Sequence, residues 1–362
     1  MMFGLFRKAP SRYSFRVDPA GAEVQASSDE SLLQAALNQG LAFPHNCRAG
    51  GCGACKCRLV SGKVKELTDK SYLLSAGELQ ANYILACQSH PRSDVTVEVT
   101  LEPDSPDHAV VSTEATIVGL KPLTADILEV ELQLATSMPF TAGQYVEVSR
   151  FDTHDTPQPV VRSYSFASAP GAESGSDLVR LFIKKVAGGH FTEWLFHAAD
   201  VGEKLALKGP YGNFHLRPGT QPIIAVSGGS GLAPVKAILE QALRDKKSGR
   251  DVVLYFGART QHDLYGLQAI AEIQRHWIGR FEFIPVLSDE PADSDWTGRR
   301  GLIPGHLTNA SNAAFSQSQA YLCGPPPMVD ACVAALVQAG VDQNAVFFDK
   351  FLDTSHKISH EI

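Results

Sequence analysis

The sequence predicts three successive modules of different architecture: a small mixed α+β module over residues 1–103, an antiparallel β-barrel over 112–218, and a doubly wound parallel α/β sheet over 219–362. Three observations predict it. Four cysteines fall in the first hundred residues, three of them on one glycine-rich loop. From Ser112 to about Pro218, six short runs alternate polar and apolar residues between turn signals, the period of half-buried antiparallel strands. After Gly219, apolar runs of strand length alternate with amphipathic runs of helix length, which implies a parallel sheet covered on both faces. A chain of 362 residues is also too long for one ordinary core.

In the first module SYSFRV and AEVQAS read as strands joined by the turn DPAG. SSDESLLQAALNQG reads as a helix, with Ser28 or Asp29 as N-cap, Gly40 at its end, and Leu32, Leu33, Ala36 and Leu37 at helical spacing. The loop PHNCRAGGCGACKCRL follows, RLVSGKV is expected to return as a hairpin, a helical piece around SAGELQANY leads to Cys87, and VTVEVTL closes as a strand. This order suits a β-grasp fold. Cys47, Cys52 and Cys55 stand at C-x4-C-x2-C spacing with Cys87 alone further on, the plant-type [2Fe–2S] arrangement. Gly50, Gly51 and Gly53 fit a loop that must fold tightly and turn its N–H groups towards sulfur. The competing readings are buried free thiols or a zinc site, and zinc usually takes its cysteines as two short clips. Cys57 is a rival ligand, because a strand KCRLV sends Cys55 and Cys57 to one face; the loop spacing favours Cys55.

Hydrophobic content of 44% and charged content of 20% are those of a soluble globular protein. No apolar run approaches the roughly 20 residues of a membrane helix. MMFGLFRKAP sets its charges after a short apolar patch, the wrong order for a secretory signal. Seven cysteines, four of them assigned to a cluster, leave no even disulfide framework, so a reducing cytoplasm is expected. The net charge of −7 argues against a nucleic-acid binder. Residues 1–103 hold 11 Lys/Arg against 10 Asp/Glu, a net of +1, which leaves −8 for the remainder. Arg48, Lys56, Arg58, Lys63 and Lys65 crowd the cysteine loop, as a docking face for an acidic partner or as ordinary solvated surface.

EPDSPDHAV, without periodicity, reads as a linker. The barrel strands are EATIVGL, DILEVELQL, GQYVEVSR, VVRSYSFAS, LVRLFIKKV and KLALKGPYG, interrupted by the helix start GGHFTEWLFHA. RSYS offers a cation for phosphate (Arg162), a ring able to stack (Tyr164) and hydroxyls (Ser163, Ser165); on spacing alone an amphipathic strand with a surface Arg is the favoured reading. His190, beside the glycine pair, reads as structural, since no other ligand stands at metal spacing from it. In the last module VSGGSGLAP joins the first strand to the first helix, where backbone N–H groups can face a pyrophosphate. Pro234 stands where the dinucleotide fingerprint has its third glycine. CGPPPM ends a later strand and would line the same crevice; Cys323 there is either a site residue or a core thiol, and Cys332 a core thiol.

RSYSFAS, GGHFTEWLF, GPYGNF, GGSGLAP, LYFGAR…DLY and YLCGPPPMVDA, in this order, resemble the ferredoxin–NADP⁺ reductase superfamily. With the cysteine loop in front, the chain from Ser11 to Phe351 resembles the three-domain ferredoxin/FAD/NAD reductase components of bacterial oxygenases; FPHNC, TEWLF and RFEFIPVLSDE look most like the xylene monooxygenase reductases. The resemblance implies FAD, NADH and a [2Fe–2S] cluster. It implies that Arg162 neutralises the flavin pyrophosphate, Tyr164 stacks on the isoalloxazine and Ser165 approaches its N5, with Ser163 beside them. Ile183 and Lys184 would lie along the ribityl and adenine side, and Gly189 and Thr192 at the pyrophosphate. Gly229, Gly231 and Pro234 would contact the nicotinamide nucleotide, Cys323 and Gly324 its reactive carbon, and Phe348 or Phe351 the flavin. Arg259 could pair with a 2′-phosphate, whereas Asp263 would repel one and accept a ribose hydroxyl. The implied function is electron transfer from NADH through FAD and the cluster to a terminal non-haem iron monooxygenase, dioxygenase or desaturase, soluble or membrane-bound, by a monomeric reductase. The rivals are a stand-alone NADH-dependent flavin, quinone or iron reductase, and a ferredoxin-like binding module with inactive reductase domains.

Overall fold

The structure, a computed structural model, describes residues 10–45, 48, 50–51, 53–71, 73–102, 106, 108–150, 160–171, 176–307 and 313–351. The chain forms two compact units, residues 1–105 and 106–362.

The first unit holds a five-stranded sheet in the order Ala22–Ser27, Arg12–Asp18, Val95–Glu98, Lys56–Ser61, Tyr83–Leu85. Arg12–Asp18 runs antiparallel to Ala22–Ser27 and parallel to Val95–Glu98, with Phe15 opposite Val24 and Val95. Helix Leu32–Asn38 packs Leu32, Leu33, Ala35 and Ala36 against Phe15, Val17, Ile84 and Val97, giving the expected β-grasp core. Two local expectations change. The N-cap is Ser31, which accepts from the Gln34 N–H at 3.1 Å. Ser28 and Asp29 sit in a turn closed by the Glu30 N–H on the Ser27 carbonyl and by the Glu30 carboxylate on the Ser27 N–H, so the helix cannot begin there. RLVSGKV is not a hairpin: Val64–Glu66 leaves the sheet and pairs with Ser89–Pro91 as a separate ribbon, a partner supplied by residues beyond Cys87.

In the second unit six antiparallel strands follow the order Val161–Ser165, Tyr145–Arg150, Lys204–Tyr211, Val111–Pro122, Ile127–Met138, Ser176–Lys184. A Phe166–Leu181 bridge and the Ala167 N–H on the Arg180 carbonyl (2.7 Å) join the two edges, closing the barrel. Alternate residues such as Ile117, Val130, Leu132, Val148 and Leu181 fill it. Helix His190–His197 plugs the core with Phe191 and Leu195.

The parallel sheet runs Arg299–Arg300, Phe281–Leu287, Val252–Ala258, Ile223–Gly228, Gln319–Gly324, Val346–Lys350. Every residue of Ile223–Gly228 and Gln319–Gly324 is buried, as expected for strands covered on both faces. Helices Leu232–Arg244 and Leu267–His276 contribute to one core, and Pro326–Gln338 to the other. Strand order reverses between Ile223–Gly228 and Gln319–Gly324, so their following loops open a crevice at the carboxyl end.

Candidate functional site

Of the four cysteines expected as ligands, Cys47 and Cys52 lie outside the described residues. Cys55 and Cys87 are buried in one apolar core, and the Ala86 N–H bonds the Cys55 carbonyl at 3.1 Å. The Gln88 amide lies 3.8 Å from the Cys87 sulfur and 3.5 Å from the Arg48 carbonyl, so it spans the distant cysteine and the loop. Gly50 has φ 81°, and a Cβ there would fall 2.7 Å from the Gln88 side chain; only glycine meets both demands. Cys57 shares this core, where burial pushes its thiol pKa up and neighbouring Cys87 adds to the rise. The donor set is two buried sulfurs and a tight glycine loop, which fits an iron–sulfur cluster. Three of the nearby cations have partners of their own: Lys56 is ion-paired with Glu78, Arg58 with Glu98, and Arg48 donates to the Gln34 amide oxygen.

In the barrel, the strand Val161–Ser165 leaves Arg162 and Ser163 exposed, Tyr164 half-buried and Ser165 buried. The Tyr164 ring lies 5.8 Å from that of Phe191, which brings the strand beside the start of helix His190–His197 at Gly189. Burial raises the Tyr164 phenol, so it remains neutral. Thr192 is buried and its hydroxyl bonds the Val186 N–H (3.1 Å) and carbonyl (3.2 Å), fastening the glycine turn. Lys184 is exposed, 4.0 Å from Asp126. Ile183 packs its side chain into the barrel core and its backbone pairs with Leu128 in the ladder. An exposed Arg, a neutral ring and a helix start fit a flavin with its diphosphate.

At the crevice Gly229 has φ 54° and a Cβ there would meet nothing within 4 Å, so the loop is open on that side. A Cβ on Gly231 would lie 2.2 Å from the Cys323 carbonyl oxygen. Gly231 therefore supplies the close helix–strand approach assigned by the fingerprint to its third glycine, and Pro234 sits in the first helical turn, where a missing N–H costs nothing. Cys323 is fully buried, opposite Ser227 and Asp349; burial, then the Asp349 charge, push its thiol well up. The Phe351 N–H bonds the Gly324 carbonyl (2.9 Å), and its ring packs on the core shared by Ala167, Phe182 and Cys323. Phe348 packs on the opposite core, with the Lys350 ammonium 5.3 Å from its ring. The open glycine loop fits a dinucleotide diphosphate.

Arg259 donates to Asp263 at 2.9 Å and lies 3.3 Å from Asp126 of the barrel. The Asp263 bond is the main cause of its raised pKa. Burial would raise the Asp263 carboxyl, but bonds from Arg259 and Thr260 outweigh it and hold the group below the usual range. Sequence reasoning missed Asp126, Asp349 and Tyr265, whose hydroxyl holds the Gly229 carbonyl at 2.8 Å. Tyr265 stands in the DLY run quoted above, but nothing local shows its partner, and Asp126 and Asp349 likewise act on residues far away in the chain.

Residues 15–92 match the family described as 2Fe-2S iron-sulfur cluster binding domain, 115–216 the oxidoreductase FAD-binding domain, and 225–334 the oxidoreductase NAD-binding domain. The chain is similar to the xylene/toluene monooxygenase electron transfer component of Pseudomonas putida, 40% identical over 354 residues and 96% of each chain. It is similar to the propane 2-monooxygenase reductase component of Mycolicibacterium smegmatis, 34% identical over 94% of this chain and 97% of that one. Among solved structures, the ferredoxin reductase in carbazole 1,9a-dioxygenase is 32% identical with a TM-score of 0.70, covering 95% of this chain and all of that one. Among the described residues no helix is long and apolar enough to cross a membrane. The chain belongs to the family of three-domain oxygenase reductase components, NADH-dependent oxidoreductases that carry FAD and a [2Fe–2S] cluster.

Proposed function

We propose that this reductase serves a terminal oxygenase of the hydrocarbon-oxidising kind, as its relatives' names describe, and that it does so as a cytoplasmic monomer. When bound, FAD would supply hydride acceptance from NADH and single-electron release, and the cluster would supply a one-electron carrier. Arg162 and the helix start at Gly189 bind the flavin diphosphate, Tyr164 covers its ring, and Ser163 and Ser165 present hydroxyls along its edge. Gly229, Gly231 and the helix start cradle the nicotinamide nucleotide; Cys323 and Gly324 floor the crevice and Phe351 fills it from the barrel side. Cys47, Cys52, Cys55 and Cys87 hold the iron. In residue terms the domains are 1–103, 112–218 and 219–362.

One observation carries this reading: Ala167 and Phe182 of the barrel share a core with Leu232, Cys323 and Phe351 of the sheet, so the flavin strand and the nucleotide loop border one space. The test is cofactor content and electron flow in the purified chain. Arg162→Ala should lose FAD and NADH-to-ferricyanide activity while keeping iron. Reconstitution with a xylene-type hydroxylase should restore NADH-dependent oxygenation. Full FAD retention by Arg162→Ala, or no coupling to any hydroxylase, sinks the corresponding half of the proposal.

A further inference from the structure

Helix Leu232–Arg244 begins at the nucleotide loop and grips the end of the flavin strand about one turn later. Lys236 is only 8% exposed. Its ammonium donates to the Ala167 carbonyl at 2.9 Å, pairs with Glu240 at 2.5 Å and stands 5.8 Å from the Phe182 ring. The Glu240 carboxylate also accepts from the Ala169 N–H at 3.1 Å. Gln241 accepts from the Ala142 N–H at 2.7 Å, and Arg244 donates to the Pro170 carbonyl. Ala167 lies two residues beyond Ser165 and one beyond the bridge that closes the barrel. At about 1.5 Å rise per residue, Lys236 is roughly 6 Å along the axis from Leu232.

An ion pair with its cation buried and its carboxylate half-buried is a poor choice for stability alone, because apolar residues of the same volume usually do as well. What an apolar pair cannot do is hold a carbonyl and an N–H two residues apart in one fixed place. We propose that Lys236 and Glu240 are positioning residues: they lock the nucleotide helix to the exit of the flavin strand and so fix the distance across which hydride passes. The inference rests on the flavin lying against Arg162–Ser165 and the nicotinamide over Gly229–Gly231, as proposed above.

The experiment uses the full chain carrying FAD and cluster, with Lys236→Met, Lys236→Arg and Glu240→Gln. Anaerobic rapid mixing with NADH gives the limiting rate of flavin bleaching per bound FAD and the half-saturating NADH. Titration with NAD⁺ gives the flavin absorbance change on nucleotide binding. Lys236→Met should lower the limiting rate at least tenfold, leave half-saturation within threefold and diminish the NAD⁺-induced absorbance change. Lys236→Arg, whose guanidinium can reach the same two oxygens, should recover the rate to within threefold, and Glu240→Gln should fall between. A wild-type limiting rate in Lys236→Met, even with a lowered Tm, makes the pair a stability element only and overturns the proposal. If Lys236→Met does not fold, a wild-type rate in Glu240→Gln overturns it equally. Failure of the flavin placement itself appears elsewhere, as FAD retention by Arg162→Ala.

Discussion

The two glycine loops that face anionic groups differ in one respect. In the cysteine loop Gly50 is walled in: any Cβ would strike Gln88. In the nucleotide loop Gly229 faces open space, and only its backbone conformation calls for glycine. On the placement proposed above, the first arrangement would close round a resident group, and the second would keep room for a nucleotide that enters and departs on each turnover. Glycine serves exclusion in one loop and access in the other, and Gly231, two residues on, joins both by pressing the open loop onto Cys323.

The largest effects should fall on the closed loop. Cys55→Ser or Cys87→Ser should remove essentially all of the expected two or so irons per chain, read by iron content and visible absorbance, while NADH-to-ferricyanide turnover stays within about twofold. Cys57→Ser should keep the iron; its loss would reassign the ligand. Gly231→Ala should be next. Forcing a methyl into the Cys323 carbonyl costs on the order of 1–3 kcal/mol, so kcat/KM for NADH should fall by about tenfold to a hundredfold with an unchanged cluster spectrum. A smaller loss would mean that the loop yields.

Nucleotide choice sharpens the comparison further, because an open cradle needs its selectivity outside the loop. Arg259 is held by Asp263 and Asp126. The wild-type chain should favour NADH over NADPH at least tenfold in kcat/KM, about 1.4 kcal/mol. Asp263→Asn should narrow that ratio by freeing Arg259, and an unchanged ratio would move the specificity elsewhere. Gly229→Ala should cost less, roughly 1 kcal/mol of left-handed strain, seen as about a fivefold rise in KM for NADH with FAD and iron intact. A Gly50→Ala effect on iron no larger than this would erase the contrast between the loops.

The smallest effect concerns docking. The sequence places five cations round the cysteine loop, but Lys56 and Arg58 are taken by Glu78 and Glu98. Among the described residues Lys63 and Lys65 form no ion pair. Reversing Lys63 and Lys65 to Glu should slow oxygenase turnover about two- to threefold at low salt and flatten its salt dependence. Reversing Arg58 should do less, and a larger effect from Arg58 would show that its pairing with Glu98 opens on docking.

The architecture was legible because it is written in local periods: alternation in the barrel, strand and helix runs in the sheet, cysteine spacing in the loop. What was not legible depends on partners far apart in the chain. Ser31 caps its helix because a turn ahead of it has already used Glu30. Val64–Glu66 finds its partner at Ser89–Pro91. Asp349 meets Cys323, and Asp126 meets Arg259, only through tertiary folding. Phe348 and Phe351 are equivalent candidates in the sequence, and strand alternation after Val346 sends them to different cores.

The order of the parallel sheet also bears on how the chain is made. Ile223–Gly228 is one of the two central strands and the first of the six to be synthesised; the strands on one side follow in turn, and Gln319–Gly324 seals the other edge only about ninety residues later. During that interval a largely apolar strand presents an unpaired edge on a nascent chain, the kind of surface that chaperones bind and that other chains can extend. A ribosome that stalls between helix Leu267–His276 and residue 319 would thus leave a folded barrel attached to a sticky half-sheet. Yield of the intact reductase in a cell should depend on how quickly that stretch is translated.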